Sequence, residues 1–190
     1  MNSHSAAVPP TDQVLADTRH WVDRAVIGLN LCPFAKAVQA RGQVRYVVSD
    51  ARTEEELLGV LAGELRLLAD ADPQDVETTL LIHPWVLRDF IAYNDFLDVA
   101  DEAVRALGLE GLLQVASFHP EYQFADTEPD DIENCTNRSP YPTLHLLRED
   151  SINRAVSAMP DTDAIYRHNI ETLRRLGPEG WAQWMAPRSL

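Results

Sequence analysis

The sequence predicts one α/β domain built on a small, partly parallel sheet of three to four strands with helices on both faces. Segments with helical apolar spacing alternate with short strand-like runs, as in a layered α/β domain. The runs Thr78–Ile82 and 111–118 carry apolar residues almost throughout, the pattern of strands covered on both faces. A chain of 190 residues, 45% of them hydrophobic, supplies one good core rather than two.

From residue 11 to 29, Val14, Thr18, Trp21, Val22, Ala25, Val26 and Leu29 recur at helical spacing. Gly28 and Asn30 weaken the end, and Pro33 prevents continuation. A short helix is expected over residues 33–40, stopped by Gly42, with Cys32 as its N-cap and Pro33 at the first helical position, which proline favours. Residues 44–49 read as a strand. Thr53 and Glu56 then have capping-box spacing ahead of a helix carrying Leu57, Leu58, Leu61, Leu65 and Leu68. After the strand Thr78–Ile82 comes a helix with Leu87, Phe90, Ile91, Leu97, Ala100, Val104 and Leu107, ending at Gly108. The strand 111–118 follows.

Thr143–Arg148 reads as a fourth strand rather than the start of a helix, because Pro140 and Pro142 precede it and Asp150 and Ser151 supply a fresh helix start. A last helix is expected from Asp161 or Thr162, with Ile165, Leu173 and Leu176 on one face and Gly177-Pro178 as its stop. The domain is therefore expected over residues 11–176, preceded by a disordered tail of residues 1–10 and followed by an apolar tail, 177–190. Trp181, Trp184 and Met185 should dock that tail on the domain.

Composition narrows the function. A net charge of −14 without a basic stripe repels a phosphate backbone, so nucleic acid is an unsuitable partner. No apolar run approaches the roughly 18 residues of a membrane span, and the N-terminus lacks the features of a secretion signal. Cys32 and Cys135 lie far apart in sequence without zinc-ribbon partners, and both are expected as thiols in the cytoplasm. Fifteen of the sixteen basic residues are arginine, leaving Lys36 as the single lysine.

Residues 119–142 break the α/β alternation with a long, polar segment containing His119, Glu121, Asp126, Asp130, Asp131, Asn137, Arg138 and Ser139. So long a loop in a compact domain is usually functional or disordered, and interspersed Tyr122, Phe124, Ile132 and Tyr141 can anchor it. Its meeting with Cys32 is the expected site. As a helix cap, Cys32 would face unpaired N–H groups that favour thiolate, with Lys36 one turn on; the competing reading is a buried core cysteine. His119 ends a strand, where open α/β sheets tend to bind ligands, and stands close to Glu121 for acid-base chemistry. Its alternative is a hydrogen-bonded loop anchor. His83, before Pro84, can face the same sheet edge, and His145 reads better as a satisfied core histidine. Asn137, Arg138 and Ser139 suit a carboxylate or phosphate, unless Arg138 pairs internally with Asp130 and Asp131.

Several blocks carry a family resemblance: Trp21 with Gly28-Leu29-Asn30-Leu31-Cys32-Pro33-Phe34, then Tyr93-Asn94-Asp95-Phe96-Leu97, then Ser117-Phe118-His119-Pro120 through Tyr122-Gln123-Phe124. Asn137-Arg138-Ser139-Pro140-Tyr141-Pro142, leading to Leu144-His145-Leu146-Leu147-Arg148-Glu149, completes them. Over residues 12–160 the chain resembles a bacterial family known as a domain of unknown function (number 1415). The resemblance implies a soluble bacterial protein and supplies no mechanism.

The leading expectation is an enzyme acting on a small anionic or carbonyl-bearing molecule, with Cys32 as thiolate nucleophile and His119 as acid-base partner. Asn137, Arg138, Ser139 and Lys36 would hold the substrate. A second expectation is a metal-binding protein using Cys32, His119, Glu121 and His145. A third is a non-catalytic domain whose acidic loop binds a protein. A small molecule is the expected partner; cofactor, oligomeric state and strand order are not legible.

Overall fold

The computed structural model describes residues 10–157 and 163–186. Apart from Pro10, the expected N-terminal tail lies outside the described residues, as do residues 187–190 and the expected helix start at Asp161 or Thr162.

Helix α1 (Thr11–Trp21) starts after the extended Pro10, whose carbonyl accepts from the N–H groups of Gln13 and Val14. It widens into a π-helical segment, Val22–Ile27, and there the Gly28 N–H reaches Asp23 O at 3.1 Å. A Cβ at Gly28 would lie 2.3 Å from Arg24 O, so only glycine fits this turn. Asn30, at φ 55°, reverses the chain. Helix α2 (Ala35–Ala40) starts two residues later than expected, with Phe34 at its cap. Cys32 is therefore not an N-cap: its N–H goes to Val26 O at 3.3 Å, and its own carbonyl accepts from Ala35.

Strand β1 (Val44–Val48) leads to helix α3 (Glu54–Asp70). Thr53 Oγ1 accepts from Glu56 N at 3.2 Å, while the Glu56 carboxylate takes Arg52 N–H at 2.7 Å, one residue before the usual capping-box partner. The far end of α3 has no basic residue in its last turn. Arg148 supplies one from elsewhere, its Nη2 donating to Leu68 O and Ala71 O at 2.7 and 2.8 Å. Strand β2 (Thr78–Ile82), helix α4 (Phe90–Ala106), strand β3 (Leu113–Phe118) and strand β4 (Thr143–Arg148) follow, then helix α5 (Glu149–Ser157) and helix α6 (Asp163–Met185).

The sheet order is β1-β2-β4-β3. β1 and β2 are parallel, while β4 lies antiparallel to both β2 and β3. The crossover from β2 through α4 is thus split: β3 lands one place away, and β4 returns through residues 119–142 to fill the gap. Leu81, Leu144, Leu146 and Leu113 face α3 and α4, where Leu57, Leu61, Leu65, Tyr93 and Phe96 complete the larger core. Leu80 and Phe118 turn to the other face, against Trp21, Val22, Ala25 and Leu31, with Leu173 from α6.

Helix α6 breaks at Gly177 (φ 68°, ψ 171°) and resumes at Pro178. The resumed turn is tied back to the π-helical segment. Trp184 Nε1 donates to Arg24 O at 2.7 Å, and Arg24 donates to Trp184 O and lies over its ring, 4.2 Å from the centroid.

Candidate functional site

On the face opposite α3 and α4, strand alternation lines up Thr78 and Leu80 of β2, His145 and Leu147 of β4, and Gln114 and Ala116 of β3. The π-helical segment, α2 and the connection between them cover one side of this surface with Val22, Val26, Cys32, Phe34 and Val38. Helix α5 covers the other with Ile152, Ala155 and Val156. Between these walls lies a cavity of about 370 Å³, lined mostly by carbon. The small Ala116 side chain sits beside Phe118, whose ring packs edge-on to Trp21 at 5.1 Å.

The floor carries polar side chains at Thr78, Gln114 and His145. The Thr78 hydroxyl donates to Leu146 O at 2.6 Å, which uses its single proton, so its oxygen accepts from His145 Nε2 at 2.8 Å. That fixes the tautomer: Nε2 carries the proton and Nδ1 keeps a lone pair. Among the described residues Nδ1 has no hydrogen-bond partner, and it is not fully shut off from the surface, so its lone pair keeps some access to the space the ring lines. Burial pushes the imidazole down to about 4, leaving it neutral at neutral pH. His145 is therefore not a fully satisfied core residue.

Cys32 lines the same cavity, half-buried. His119 does not. One residue beyond Phe118, it turns toward α4 and is fully buried, with ring centroids 5.0 Å from Tyr93 and 5.4 Å from Phe90. Its Nε2 donates to Leu87 O at 3.2 Å and its Nδ1 accepts from Glu121 N at 3.0 Å. Both nitrogens are spent, and burial pushes the ring below its ordinary range. The expected Cys32–His119 pair is thus not brought together: His119 is the loop anchor, and the Glu121 main chain rather than its carboxylate touches it. The backbone carbonyl that holds Nε2 belongs to Leu87, in left-handed conformation at φ 55°.

Residues 119–142 form an ordered wall held by their own polar side chains. Asn134, fully buried in a short 3₁₀ turn, Ile132–Thr136, accepts from Phe124 N at 3.0 Å and donates to Glu128 O at 2.8 Å. Asn137 Nδ2 donates to Ser117 O at 3.2 Å, and Ser139 Oγ to Tyr141 O at 2.6 Å. Arg138 donates to Tyr122 O and Pro129 O at 3.0 and 2.6 Å, so carbonyls hold it where Asp130 and Asp131 were the expected internal partners. These three residues tie the loop together. None lines the sheet-face cavity, and Lys36 stands exposed on α2.

No group of three or more His, Cys, Asp or Glu side chains gathers at metal-binding range among the described residues. Of the expected ligands, Cys32 and His145 line the sheet-face cavity, whereas His119 is turned toward α4. A second cavity, about 650 Å³, lies between the loop and the end of α6, lined by Asp130, Asp131, Arg138, Pro178 and Trp181. Trp21 borders both cavities, and its buried Nε1 has no partner among the described residues. Cys135, also on the second cavity, is buried, which pushes its thiol up.

Sequence reasoning missed the cavity walls, because Val22 and Val26 fall on the helical apolar spacing of a core-facing helix. The alternation of His145 with Leu147, and the small Ala116 in a strand of larger residues, were the available signals. No helix among the described residues is long and apolar enough to cross a membrane. No curated protein matches the chain, and no solved structure does. The family model described as "Protein of unknown function (DUF1415)" matches residues 13–183, and the chain belongs to that family.

Proposed function

We propose that the chain binds a small, largely apolar molecule in the cavity between the sheet and the walls formed by the π-helical segment, α2 and α5. The observation that carries the reading is the lining: an apolar, partly enclosed space of ligand size with a convergent polar group on its floor. The neutral fluorophore N-phenyl-1-naphthylamine tests it. Wild type should enhance its emission saturably, and Ala116→Trp, which fills the floor, should abolish the enhancement while the protein still melts cooperatively. No enhancement, or equal enhancement in both proteins, removes the reading.

A second reading is catalytic, favoured by Cys32 and His145 lining one cavity. Cys32 is the nucleophile toward a carbonyl-bearing molecule and gives up its thiol proton as the sulfur attacks. The carbonyl carbon forms a C–S bond, and the leaving group departs with that proton. An activated ester such as p-nitrophenyl butyrate should then acylate Cys32, detectable by mass, and leave Cys32→Ala unmodified. The two free thiols support a reading in which the protein works in a reducing compartment such as the cytoplasm.

A further inference from the structure

We infer that His145 selects the occupant of the sheet-face cavity by accepting one hydrogen bond, so that the cavity takes an apolar molecule bearing a hydroxyl or N–H donor. The inference rests on the cavity being the ligand site and adds which chemistry it takes.

The selection follows from how the ring is held. Leu146 O requires the Thr78 proton at 2.6 Å, Thr78 Oγ1 then requires the His145 Nε2 proton at 2.8 Å, and Nδ1 is left as an acceptor. The main chain of β4 itself therefore sets the tautomer. A hydroxyl or N–H entering the cavity meets a fixed lone pair, whereas an ether or carbonyl oxygen meets a second lone pair and loses its own water without a replacement. Most of the remaining floor and walls, Leu80, Ala116, Phe118 and Val26 among them, offer carbon, although Glu77, Gln114, Arg148 and Ser151 also border the cavity. Discrimination built on one unpaired acceptor is sharper than discrimination by shape alone.

Indole and benzofuran test this, since they share a shape and differ in whether the five-membered ring presents an N–H. By calorimetry or ligand-detected NMR, wild type should bind indole about tenfold more tightly than benzofuran, the difference one hydrogen bond makes. His145→Phe should bring the two within about twofold while still enhancing N-phenyl-1-naphthylamine emission, with weaker affinity because that probe also carries an N–H. Thr78→Val, which releases the lock and leaves the imidazole in place, should reduce the preference as well. Long-range ¹⁵N–¹H correlation in wild type should find the His145 proton on Nε2, a readout independent of how either variant folds.

A proton on Nδ1, or a preference for indole that survives His145→Phe, overturns the inference. Wild type that takes up the fluorophore but binds indole and benzofuran equally overturns it too, and leaves the cavity as a ligand site. Wild type that takes up none of the three overturns both.

Discussion

The phenol of Tyr93 sits between two partners of one sheet rung, donating to Thr143 O at 2.8 Å and accepting from Phe118 N at 3.1 Å. Phe118 and Thr143 are register partners at the end of the β3–β4 pair, so a side chain from α4 closes the ladder where the strands diverge into the long loop. Burial pushes the Tyr93 phenol well above its ordinary range, which keeps it a donor. The same ring packs against His119 and His83.

Tyr93→Phe keeps the ring and removes the bridge, leaving a buried carbonyl and amide without their partner. Stability should fall by about 1 to 3 kcal/mol. Amide exchange at Phe118 should accelerate more than at Val115, in the middle of β3. Equal acceleration at both positions would mean that the phenol does not close the rung.

Much of this frame is legible in the sequence. The apolar run Thr78–Ile82, the spacing of Thr53 and Glu56, and the prolines ahead of Thr143 act locally, so strands and helix starts follow from short-range chemistry. Cys32 was misplaced because Pro33 resembles a first helical residue, whereas the π-helical turn claims the Cys32 N–H through Val26 and delays α2. His119 was misassigned for another reason. Alternation puts Phe118 and His119 on opposite faces, but which helices cover which face is decided by packing, and only that separates Cys32 from His119.

Arg138 separates a loop tie from a ligand clamp. It serves two carbonyls of the loop, and Arg138→Ala leaves both without this donor. The variant should lose about 1 to 3 kcal/mol. N-phenyl-1-naphthylamine and indole should bind unchanged, since Arg138 lines the other cavity. An unaltered melting curve together with lost ligand binding would return Arg138 to the site.

Cys32 and Cys135 differ in access. Cys32 lines the open cavity, whereas Cys135 is buried and its thiol is pushed up. Iodoacetamide should therefore modify Cys32 first in the native protein, and saturating indole should slow that reaction. Cys135→Ser should leave the fast phase intact and Cys32→Ala should remove it. Labelling of Cys32 at the same rate with and without ligand would place the bound molecule away from the π-helical wall.

The histidines make stability depend on acid in a defined window. Burial pushes both His83 and His145 from 6.5 down to about 4, so below pH 6.5 the unfolded chain takes up protons that the folded chain refuses. Their stabilising effect is whole above pH 6.5 and is lost as the pH falls toward 4, at roughly 1.4 kcal/mol per pH unit for each group. His119, also pushed down by burial, acts in the same direction. Chemical denaturation between pH 7.5 and 4.5 should give a free energy that is flat at the upper end and falls steeply below about pH 6.5. In His145→Phe the slope should lessen by about 1.4 kcal/mol per pH unit. A variant with the wild-type slope would mean that the His145 ring accepts a proton in the folded protein as readily as in water, and its lone pair would then not be the fixed acceptor on the cavity floor.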